Sequence, residues 1–175
     1  MSGYALAFLS FLVFLVQSSV MPFFFSGLHQ PDLWLAVIVL ATLIFDNKTA
    51  MTLALVGGLL TDLVTGNLFG LHLLPYLAIA GLYLALGRKR YNRHWYISLF
   101  AMTLASLLYA LLSWLVLFAA GSHVFSISYI LYFVMSTTFM NGAAVLVLHR
   151  PLWAMKREGE PKWGINMCPR FSVGF

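Results

Sequence analysis

Charge is what this sequence has least of. Asp, Glu, Lys and Arg make up 9% of its 175 residues, against about 25% in an ordinary soluble domain. So few charges cannot cover a water-facing surface. With 62% hydrophobic residues and a mean hydropathy of +0.91, most of the chain is expected to face lipid. Cysteine is nearly missing too. Cys168 stands alone in the tail, which excludes an internal disulfide framework and a cysteine-built metal site. Sequence motifs of catalysis are also lacking: no nucleophile elbow, phosphate loop or HExxH can be found. A non-enzymatic protein without a cofactor is expected. Five acids face ten bases, a net charge of +5. The bases sit in short clusters beside apolar runs, and no nucleic-acid-binding module is visible. Membrane topology explains them better, because Lys and Arg stay on the cytoplasmic side.

What is present is a series of apolar runs, read as one all-α membrane domain over residues 1–155 with a basic cytoplasmic tail over 156–175. The first run lacks the positive leader of a signal peptide and is read as an uncleaved span. Six transmembrane helices are expected: Tyr4–Phe25, Leu28–Phe45, Thr49–Thr65, Leu71–Gly87, Trp95–Ala120 and Ile127–Leu148. The second, third and fourth are at or below the roughly 20 residues that a crossing needs. They are expected to tilt little, to thin the bilayer or to pack inside the others, and a five-span layout is the alternative. Charge parity favours six. Six crossings put all ten Lys and Arg on one side, with both termini, and leave Asp32 and Asp62 on the other. Trp95, Tyr96 and Trp153 then fall at the inner interface, and Trp34, Trp114 and Tyr129 at the outer one.

Polar residues inside such spans are costly and are functional candidates. Asp62 lies near the end of the third span, where the helix dipole is unfavourable to an anion. No Lys or Arg is expected on its side. Its candidate partners are the backbone N–H groups of the Gly66–Gly70 turn, His72, a water or another protein. Gly66 is expected to take a left-handed conformation that ends the span, with Asn67 helping to pin the hairpin and Gly70 freeing the entry to the fourth. Pro31 suits the first position of the second span, and Asp32 its first turn. His29, His72 and His123 share the outer side without metal-like spacing, so no metal is expected. Ala54 with Gly58 and Gly81 with Ala85 are small-residue pairs that let helices approach. Thr137 with Asn141 and Ser106, Tyr109 and Ser113 are placed for bonds between helices.

The stretch GGLLTDLVTGNLFGLHLLPYLAIAG, residues 57–81, resembles the rod shape-determining protein MreD family. It carries that family's apolar run, Asp, Gly-containing turn and Gly-Leu-His, here Asp62, Gly66, Gly70, Leu71 and His72. Gln30-Pro31-Asp32-Leu33, opening a short span, is also similar to the family, as are the size and the six-span layout. The motif match covers about residues 31–45 and 54–81, the likeness in layout about 3–155, and the tail has no counterpart. The resemblance implies a scaffold in the inner membrane of bacteria that binds MreC and works with RodA, PBP2 and, indirectly, MreB in cell elongation and peptidoglycan synthesis. It also implies a fold like the substrate-binding subunits of energy-coupling-factor (ECF) transporters. A second reading follows from that: a vitamin-type substrate-binding subunit with Asp62, Asn67 and His72 at its pocket. No Ala-x-x-x-Ala docking pattern in the first span supports it. A third reading, handling of a polyprenyl-linked precursor, rests on apolar grooves alone.

Overall fold

The structure, a computed structural model, describes residues 3–25, 30–66, 69–86, 95–121 and 127–159. These are helical with no strand among them. The first rod is α1 (Gly3–Leu15), a π-helical turn (Val16–Val20) and α2 (Met21–Phe24). Then follow α3 (Leu33–Ile44), α4 (Asn47–Thr65), α5 (Leu73–Leu86), α6 (Trp95–Ala119) and α7 (Ile127–Gly159). Among the described residues, three stretches are long and apolar enough to cross a membrane: Leu6–Phe24, Asn47–Thr65 and Trp95–Ala119.

α3 is the hub. It is apolar on every side, and every residue but Leu33 and Leu43 is buried, as an all-round hydrophobic helix must be. It touches α1, α4, α5, α6 and α7. This corrects the expected second span, which shrinks from Leu28–Phe45 to Leu33–Ile44. Twelve residues rise about 18 Å, short of a hydrocarbon core of about 30 Å. A helix sheathed by its neighbours does not have to match lipid along its length. α5, with 14 residues, is also shorter than its expected Leu71–Gly87. Its start is held back by the turn described below.

Close approach sets the packing around the hub. A Cβ on Gly57 would stand 2.5 Å from the ring of Trp34, and one on Gly58 2.6 Å from the Cα of Leu73. The bare backbone of α4 therefore lies directly on α3 and on α5. Trp34 is 1% exposed, so it is a packing residue and not the interfacial anchor that its position suggested. Trp95, Tyr96 and Trp114 do lie on the outer surface of the bundle. Ala54 and Gly58 are both buried. A Cβ on Gly81 would meet no atom of the described residues within 4 Å, and Ala85 is exposed.

α7 runs to Gly159, beyond the expected end of the sixth span at Leu148 and across position 155. The reason is an inner face that continues past the apolar run. His149 is buried with its Nδ1 3.1 Å from Ser98 Oγ on α6, and Leu152 is 1% exposed. Pro151 is inside the helix and exposed. The RKRYNRH cluster at 88–94 and Cys168 lie outside the described residues, as does the tail from 160 onward.

Candidate functional site

Two acids, Asp62 buried and Asp32 half-buried, organise one end of the bundle, where α2, α4 and α6 finish and α3, α5 and α7 begin. The first is Asp62, whose side chain is fully buried. Its Oδ1 accepts from the backbone N–H of His72 at 2.9 Å and from the ring Nδ1 of His72 at 2.9 Å. Its Oδ2 accepts from the backbone N–H of Gly70 at 2.8 Å and of Leu73 at 3.2 Å. Four donors converge on one carboxylate. Two are amides at the entry of α5, where the dipole favours an anion. The unfavourable end of α4 is thus offset by the favourable end of its neighbour, which is how an acid is tolerated at this depth.

The turn is shaped to allow this. Gly66 ends α4 with φ +60°, its N–H donating to Asp62 O at 3.2 Å, and Gly70 has φ +100°. A side chain at either position would strain the backbone.

The second acid is Asp32. It is the N-cap of α3, its Oδ1 accepting from Leu35 N–H at 3.0 Å, and Pro31 stands just outside the helix. This corrects the expected order, in which Pro31 opened the helix. The residue with a side-chain acceptor takes the cap because it alone can satisfy an orphan amide. Asp32 Oδ2 accepts from Tyr76 Oη–H at 2.6 Å. The backbone N–H of Asp32 donates to Asn141 Oδ1 at 2.7 Å, and Asn141 Nδ2 donates to Ser106 Oγ at 3.1 Å. Gln17, in the π-helical turn, clamps the same entry: its Nε2 donates to Pro31 O and its Oε1 accepts from Leu33 N–H. π turns often mark functional positions.

The two acids are joined through α5. His72 and Tyr76 are one helical turn apart and share a face. Their rings are 6.2 Å apart, and Tyr109 of α6 lies 6.2 Å from His72 and 5.7 Å from Tyr76. Beside them opens a cleft of about 390 Å³ whose wall includes Asp32, Trp34, His72, Tyr109 and Thr137.

A match to the family described as rod shape-determining protein MreD covers residues 1–157. The chain belongs to the MreD family. No curated protein and no solved structure matches it. Membership places the chain in rod-shape determination and among membrane proteins, in keeping with its apolar helices. Of the residues singled out in this MreD-family sequence, Asp62, Gly66, Gly70 and His72 form one cluster, and Asp32, Pro31 and Asn141 form the other. Ala54 and Gly58 serve packing near the first. Asn67, His29 and His123 lie outside the described residues. Sequence reasoning missed Gln17 and Tyr76. A lone amide in an apolar run was the signal for Gln17, and the spacing of four from His72 was the signal for Tyr76. His149 was missed because it follows the last apolar run.

Proposed function

We propose that this chain is a non-enzymatic scaffold of the elongation machinery that docks MreC at the α4–α5 turn, thereby helping to organise RodA and PBP2, with MreB reached indirectly. The turn faces the outer side of the inner membrane, and both termini are cytoplasmic. The observation that carries this reading is how completely Asp62 ties the end of α4 to the entry of α5. The Asp62 side chain is fully buried and both of its oxygens are occupied by the hairpin itself. It therefore shapes the turn, and recognition falls to what the turn displays. Leu63, Val64 and Phe69 are all more than half exposed around it. Apolar side chains displayed beside a junction tied together by Asp62 suit a partner's transmembrane helix, since little ordering entropy is lost on docking.

The test is co-purification of MreC from native membranes in mild detergent. Phe69→Ser is expected to lower MreC recovery about tenfold, the loss of roughly 1.4 kcal/mol of contact, with normal membrane insertion. Full recovery with Phe69→Ser combined with Leu63→Ser contradicts docking at this turn. The cleft supports a second reading, a substrate-binding subunit of an energy-coupled transporter. Recovery of ATP-binding subunits in place of MreC favours it.

A further inference from the structure

The cleft has a chemistry that neither reading uses. We propose that it binds an organic cation, a protonated amine or a guanidinium carried on an apolar stem.

Three observations converge on this. The first is charge. Both carboxylate oxygens of Asp32 accept hydrogens, from Leu35 N–H and from Tyr76 Oη–H at 2.6 Å. Among the described residues, no Lys or Arg is in the cleft wall. The basic group in that wall is His72, whose Nδ1 lies 2.9 Å from Asp62 Oδ1. Among the described residues, Asp32 meets the entry of α3 and the Tyr76 hydroxyl, and no Lys or Arg.

The second is the wall itself. Phe14, Trp34 and Tyr109 set aromatic rings around the cleft. Aromatic rings beside a carboxylate recognise ammonium and guanidinium groups through the ring quadrupole. The third is an unpaired hydroxyl. That of Thr137 is buried with no hydrogen-bond partner among the described residues, and a buried orphan of this kind marks a place for a ligand or a water. A volume of about 390 Å³ is within the range of small-ligand sites, roughly 300–1,000 Å³. A zwitterionic phospholipid head fits poorly, because its phosphate would meet no basic group in the wall.

The same cation chemistry arises from a free alkylamine or alkylguanidine and from a basic side chain of a docked partner. The experiment uses the full chain in phosphatidylglycerol nanodiscs, which carry no amine. Butylguanidinium, butylammonium, butanol and butyrate are titrated by calorimetry. The two cations are expected to bind saturably and at least about tenfold more tightly than butanol, with butyrate showing no binding. Asp32→Asn keeps a good helix cap and is expected to weaken cation binding about tenfold or more. Equal binding of butanol, or unchanged cation binding by folded Asp32→Asn, overturns the proposal. Should Asp32→Asn fail to fold, Leu60→Trp decides. It fills the cleft and leaves the acid in place, so retained cation binding overturns the proposal. Saturating butylguanidinium is then added during MreC capture. Reduced capture assigns the cation to the partner and unchanged capture to a free ligand, and both support the site. Failure of the unmodified chain to capture MreC overturns the scaffold reading and leaves the cation result standing.

Discussion

At the scale of single residues, the chain solves one problem twice: how to keep an acid inside a membrane domain. Asp62 and Asp32 both do so by accepting backbone amides at the start of a helix, α5 for one and α3 for the other. Removing Asp62 leaves those amides without a partner, at about 1–3 kcal/mol for each buried donor. Asp62→Ala is therefore expected to lower the midpoint of thermal unfolding in detergent by several degrees or to abolish folding. Asp62→Asn, which keeps an acceptor oxygen, is expected to lose less. Equal melting of Asp62→Ala and the unmodified chain contradicts the pinning role. The acid, the glycines and the imidazole were legible in the sequence because each is out of place in an apolar run. Their partnership was legible because no basic residue was available nearby. Tyr76 and Asn141 became partners of Asp32 only through the fold, across 44 and 109 positions of chain, and no local pattern encodes such a pairing.

Elements obey a different logic, in which the absence of side chains matters most. Gly58 lets α4 lie on the backbone of Leu73, whereas Gly81 faces open space. Gly58→Leu is expected to force α4 and α5 apart and to prevent stable folding, with loss of the monodisperse peak in size exclusion. Gly81→Leu is expected to leave folding unchanged. Sequence spacing gave both pairs equal standing, because small residues separated by three others look alike whichever way they face. The expected spans identified every helix but not its length. α3 ends early at its start because Asp32 caps it, and α7 continues because His149 and Leu152 still have α6 and the core to pack on. Hydropathy measures affinity for lipid. It underestimates a helix whose final turns are held by protein and overestimates one that is capped within the domain.

For the whole molecule, the arrangement is a short buried helix wrapped by five others, with the polar investment concentrated at one end. In the proposed orientation that end is on the outer side. With Cys168 replaced by Ser, Thr65→Cys is expected to react with a membrane-impermeant maleimide in intact spheroplasts, and Lys48→Cys only after permeabilisation. The reverse pattern contradicts the assigned orientation. The central claim is that the fixed turn is a docking platform for MreC. Its most direct test is a photo-crosslinking amino acid placed at Phe69, with Leu82 on the exposed face of α5 as the control. The account predicts a specific adduct with MreC from position 69 and none from position 82. An MreC adduct from position 82 alone, or from neither position while the proteins still co-purify, would contradict it.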